Sequence, residues 1–169
     1  MIISKLKSII YSKKIRKALK NKAGQGAGNT GKVGLIIDAK DLDQKLKLAN
    51  LKEVAGFSNE KIQVVVCGEP KDMPQDLNAE ILEKKDVSLS GEFNKEAIRK
   101  FTEERFDFII GHFSDQSILG ELLVAKSNAI FKIGNKPDDF GIYDVEIDAQ
   151  EIGVFQQELI KYLKILKRE

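Results

Sequence analysis

Three places in this sequence bring together residue types able to do chemistry. Asp38 closes the apolar run 33–37, and Asp41 and Asp43 follow within five positions. Carboxylates so grouped suit a hard cation such as magnesium. They suit equally a helix start, with Asp41 as cap and acids in the first turn. His112, the single histidine, ends a second apolar run beside Ser114 and Asp115. That is the composition of a lone general base, or of a hydrogen-bonded structural histidine. Cys67, the single cysteine, ends the run 62–67 with no basic neighbour in sequence, which reads as a small buried hydrophobe. With one histidine there is no multi-histidine metal centre. No complete catalytic set is present, and neither a metal nor a cofactor is expected. Asp38, Cys67, His112 and Ser114 remain as the candidate ligand pocket. One motif is a decoy: Gly26-x-x-x-x-Gly31-Lys32 imitates a phosphate loop, but it precedes a strand, is followed by Val33, and opens no helix.

The fourth candidate is electrostatic. Residues 1–22 contain Lys5, Lys7, Lys13, Lys14, Arg16, Lys17, Lys20 and Lys22 and no acid. The chain's net charge of +2 thus conceals a +8 segment on a remainder of 20 basic and 26 acidic residues, a balance of −6. A cationic helix suits RNA phosphates or an anionic lipid surface. Tyr11 is its only aromatic residue, which counts against base stacking and deep membrane insertion alike.

The elements that must position these residues are legible from periodicity. Residues 1–22 read as an amphipathic helix. Ile2, Ile3, Leu6, Ile9 and Ile10 fall on one face, Ile15, Ala18 and Leu19 on another, and the stripe breaks near Ser12. Residues 23–31 hold four glycines and read as a flexible linker, which would make 1–22 an arm dispensable for folding. A domain over 32–169 follows. The run 33–37 is continuously apolar, as a strand covered on both faces requires, and 62–67, 106–111 and 129–133 read as three further strands. Residues 41–55, 94–105 and 116–127 read as helices, with Asn94 as an N-cap, and residues 68–80 as a loop. Residues 87–89 read as a short strand and 142–147 as an edge strand. A closing helix from Gln150 carries a stripe of Ile152, Phe155, Leu159, Tyr162, Leu163 and Leu166.

Strands alternating with helices imply βαβ units. The expected fold is therefore α/β: a three-layer Rossmann-like domain with a mainly parallel sheet, preceded by a basic N-terminal helix. Ligands in such sheets sit at the carboxyl ends of the strands, where Asp38, Cys67, His112 and Ser114 lie. The 42% apolar and 32% charged composition is that of a foldable globular chain. No apolar run approaches a membrane span, and a lone cysteine fits a reducing compartment. A soluble, cytoplasmic protein is the expectation.

Two resemblances attach to particular residues. The run 106–114 (FDFIIGHFS), the segment 119–127 and the run 129–134 (AIFKIG) resemble the end of the N-terminal half of heptosyltransferase-type glycosyltransferases. This implies fold more than activity, because the nucleotide-sugar site of that family lies largely in a second domain. The whole layout, from the basic helix to the final run 158–166 (ELIKYLKIL), is similar to a family of uncharacterised Bacteroidota proteins, which brings no mechanism. The reading that follows is a non-catalytic binding or adaptor module. Its basic helix would hold it to a polyanion, with RNA or the ribosome ahead of an anionic membrane surface, and its acidic domain would meet a protein or small ligand. The alternative is a reduced glycosyltransferase-like or nucleotide-using enzyme acting through Asp38, Cys67 and His112, with a homo-oligomer completing its site.

Overall fold

Strands that are apolar at every position must be covered on both faces, and parallel strands need crossovers that supply the cover. The computed structural model, which describes residues 2–20, 30–51, 61–70, 79–114, 117–135 and 140–167, meets both demands. Six strands stand in the order β3-β2-β1-β4-β5-β6: β1 Val33–Asp38, β2 Ile62–Cys67, β3 Ala79–Leu82, β4 Arg105–His112, β5 Asn128–Gly134 and β6 Val145–Glu146. Every pairing among them is parallel. The order reverses between β1 and β4, the topological switch point of a doubly wound sheet.

The helices are α1 Ile2–Lys20, α2 Leu42–Lys45, α3 Glu96–Glu103, α4 Ile118–Lys126 and α5 Ile152–Lys167. They form two layers. On one face Ile36, Val65, Cys67 and Ile109 meet Ile98 and Phe101 of α3, Leu122 and Leu123 of α4, and Tyr11 and Ile15 of α1. On the other, Leu35, Ile37, Val66 and Ile110 meet Leu42 of α2 and Phe155, Leu159 and Leu163 of α5. The three-layer Rossmann-like expectation holds, with a sheet that is parallel throughout the described strands.

Several local expectations change. The segment 41–55 is not one helix in its described part: α2 is a single turn, followed by a 3₁₀ turn, Leu46–Ala49. Asp41 stands before it with positive φ and makes no side-chain cap. Lys95, not Asn94, occupies the cap position of α3, and Ser117 caps α4 by accepting from Gly120 N at 3.1 Å. Residues 79 and 80, expected as the end of a loop, begin the edge strand β3, while Val87 makes only an isolated bridge to Phe93. Gly111 and Gly134 pair across β4 and β5. The Tyr143 ring lies against both, where a Cβ would overlap it.

The largest revision concerns α1, which packs along α4 rather than standing off the domain. Ile15 is fully buried and Tyr11 nearly so, with Ile10, Ala18 and Leu19 against the same cluster. Tyr11 Oη donates to Ser88 O at 3.1 Å. Among the described side chains the contact runs from Ile10 to Leu19, and Ile9 is 56% exposed. The reason is competition for cover: the α3/α4 layer leaves apolar surface that the Tyr11–Ile15 face fills. Lys14 adds an ion pair with Glu92 at 3.2 Å. That hydrogen bond, with the nearby charge of Lys126, holds the Glu92 carboxyl below its usual value of 4.5. Its small contribution to docking is therefore complete above about pH 4.5 and is lost as pH falls through the lowered value. Of the linker, Thr30 and Gly31 are described: both backbone N–H groups donate to the buried Asp107 carboxylate, at 2.7 and 2.9 Å.

If α1 is part of the core, Ile15→Ala should lower the unfolding free energy by about 2–4 kcal/mol through the cavity it opens. Ile9→Ala should change it by less than about 0.5 kcal/mol, as an exposed site does. Urea unfolding of the two variants measures both, and equal small effects would return α1 to a detached arm.

Candidate functional site

At the switch point, the carboxyl ends of β1 and β4 diverge and side chains take over where the backbone ladder stops. Asp38, the last residue of β1, accepts Ser114 N at 2.9 Å through one carboxylate oxygen. Its other oxygen pairs with the ammonium of Lys45 from α2, and Lys45 Nζ also donates to Ser114 Oγ at 2.6 Å. One strand further on, the buried Asn135 accepts Phe113 N at 3.0 Å and donates to Phe113 O at 3.1 Å. Side-chain bonds thus link the ends of β1, β4 and β5 in series.

Lys45 is only 1% exposed. An ammonium so placed needs a paired carboxylate, and Asp38 is that pair. His112 is buried on the opposite side of β4 from Gly111, its ring edge-on to Phe155 of α5 with centroids 4.8 Å apart. Between these elements lies a cavity of about 440 Å³. Asp41, Gln44, Lys45 and Lys47 line it from α2 and the turn after it, His112 and Ser114 from the end of β4, and residues 150–153 with Gln156 from the start of α5. Gln156 Nε2 donates to Lys47 O at 2.8 Å and fastens α5 to that turn.

The structure therefore brings together three of the four pocket residues expected from sequence. His112 and Ser114 line the cavity, and Asp38 braces it from behind through Lys45. Cys67 does not join them. It sits in the core on the α3/α4 face, where burial pushes its thiol up to about 12. Lys45 is the residue that sequence reasoning missed. Its signal was a charge set among Leu42, Leu46 and Ala49, the apolar stripe of that segment.

A lysine beside a serine hydroxyl is a known nucleophile–base pairing, but the base must have a lone pair. Here Lys45 is ion-paired with Asp38, and its Nζ donates to Ser114 Oγ. Ser114 is accordingly a hydrogen-bonding hydroxyl. Among the described residues no three His, Cys, Asp or Glu side chains could hold a metal ion. Asp38 is engaged by Lys45 and Ser114, while Asp41 and Asp43 are exposed.

The basic helix divides its charge. Lys13, Arg16 and Lys17 are exposed, with Arg16 also 5.2 Å over the Phe140 ring, while Lys14 is spent on Glu92. The side chains of Lys5, Lys7 and Lys20 lie outside the described residues, as do Lys22 and Asp115. No helix among the described residues is long and apolar enough to cross a membrane.

The chain belongs to the family of unknown function DUF6913, whose model matches residues 7–166. The match runs from within α1 to the last turn of α5, so the basic helix is part of the unit that the family shares. No curated protein and no solved structure matches the chain.

Two outcomes follow from this geometry. Lys45→Met should cost about 3 kcal/mol, because it leaves Asp38 without its cation, and Asp38→Asn in the same chain should restore most of the loss. Guanidinium unfolding tests this, and a cost below about 1 kcal/mol would mean that the pair is not formed. Cys67, with its thiol near 12, should resist a thiol-specific reagent at pH 8 and react only as fast as the chain unfolds.

Proposed function

We propose that the protein is a non-catalytic binding or adaptor module that engages a polyanion, RNA in preference to a membrane, through the outward face of α1. The observation that carries this reading is the docking of α1. Tyr11 and Ile15 fix the helix on the domain and so hold Lys13, Arg16 and Lys17 outward on a rigid support. Over residues 1–22 no acid interrupts the positive charge, and a fixed row of cations matches a phosphate backbone without ordering cost at the moment of binding.

The same docking favours RNA over lipid. Insertion along its length into a bilayer surface needs an apolar helix face free over that length, and the Tyr11–Ile15 part of α1 is already committed to the core. The enzyme reading loses support at the switch point, where Lys45 is neutralised within the fold instead of being held for a leaving group. The likeness to heptosyltransferase-type enzymes falls on β4, α4 and β5, a unit that any doubly wound sheet repeats. Ribosomal RNA or a messenger is the kind of target that fits, with the acidic domain left to meet a protein.

Fluorescence anisotropy with an unstructured RNA homopolymer tests the proposal. Affinity should fall by orders of magnitude between roughly 50 and 200 mM salt if about six or more phosphates are neutralised. The double variant Lys13→Glu/Lys17→Glu should weaken binding at least about tenfold without changing the melting temperature. A salt-independent interaction, or binding to anionic vesicles but not to RNA, would refute it.

A further inference from the structure

Contacts to phosphates carry no information about the bases between them. A helix of lysines alone would therefore hold paired and unpaired RNA by the same means. Recognition of unpaired bases needs a flat aromatic or guanidinium surface on which a base can lie. The segment 1–22 has one aromatic residue, Tyr11, and its ring is buried against the domain. Helix α1 thus carries no aromatic platform of its own.

The fold supplies one from elsewhere in the chain. Phe140, half-buried in the turn before β6, packs against the same cluster as α1. The Arg16 guanidinium carbon stands over its ring, 5.2 Å from the centroid, which is within cation–π range. Such a contact orders a long side chain that would otherwise sample many rotamers. Arg16 is nonetheless exposed, so a planar cation is held on an aromatic support and presented to solvent. Lys13 and Lys17, also exposed, stand on either side of it in sequence. Positions 13, 16 and 17 of a helix fall within an arc of about 100° and span about 6 Å along the axis. The result is one stacking group flanked by two point charges. Lys14, by contrast, is paired with Glu92.

We propose that this face of α1 binds single-stranded RNA, with one unpaired base stacked on the Arg16 guanidinium that Phe140 supports and the flanking phosphates on Lys13 and Lys17. The inference rests on the polyanion reading above and narrows it from RNA in general to unpaired RNA. A duplex keeps its bases stacked on one another and offers this face its backbone alone. A single strand offers backbone and base together, and stacking groups set among cations bind it without sequence preference.

The test is fluorescence anisotropy of the full chain with three labelled RNAs of equal length at one salt concentration. They are oligoadenylate, its abasic counterpart, and oligoadenylate paired with oligouridylate. Oligoadenylate should bind at least about fivefold tighter than the abasic strand, as the stacking of one base provides. Arg16→Lys keeps the charge and removes the plane. It should weaken oligoadenylate binding at least about fivefold and leave the abasic strand and the duplex within about twofold. Its salt dependence and melting temperature should match those of the native chain. Phe140→Leu, which keeps an apolar side chain but removes the ring, should show the same selective loss. Equal affinity for oligoadenylate and the abasic strand, or an Arg16→Lys loss shared by all three RNAs, would overturn the stacking assignment. In that case a loss of all binding in Lys13→Glu/Lys17→Glu leaves the polyanion reading standing without it. Should no RNA bind the native chain, both fall together.

Discussion

A parallel sheet whose strands are apolar at successive positions exposes two hydrophobic faces, and each must find a cover. Here α5, with α2 and the turn after it, closes one face, and α3 and α4 close most of the other. What remains beside α4 is taken by α1. That requirement explains why a helix with seven basic residues and no acid is not simply a solvated extension. Two side chains, Tyr11 and Ile15, are enough to anchor it, because burying each contributes on the order of 1.5–3 kcal/mol. Lys14, Lys126 and Glu92 then form a small charged rim around the contact. The cations left over are those directed away from the domain.

The open end of the sheet poses a different problem. Parallel strands stop with unpaired backbone groups, and at the switch point the two halves of the sheet turn apart. Asp38 and Asn135 bridge these ends, accepting Ser114 N and Phe113 N in turn. Lys45 compensates the charge of Asp38 within the fold. The result is a crevice held open by a satisfied polar network, which makes it rigid and suited to recognition.

Charge is segregated to match. The cavity lining holds Asp41 and Glu151 together with Lys45 and Lys47, while the segment with no acid lies on the helix across the sheet.

The sequence by itself determined the architecture. Largely apolar runs at 33–37, 62–67, 106–111 and 129–133 mark strands covered on both faces, and the intervening segments supply their crossovers. It also placed Asp38, His112 and Ser114 at strand ends, because a strand's end is marked by the loss of apolar pattern. Short-range pattern could not reveal β3, whose four residues Ala79–Leu82 take strand form by pairing with β2. Nor could it find Lys45, whose role exists only once Asp38 and Ser114, 69 positions away from the lysine in the second case, meet it in space. Cys67 and Asp38 pair in register at neighbouring strand ends, yet the core on one face claims the thiol while a lysine from the other side claims the carboxylate. The docking of α1 was likewise a tertiary decision. An apolar stripe lies on either side of Ser12, and only packing beside α4 shows that Tyr11 and Ile15 are buried while Ile9 is exposed.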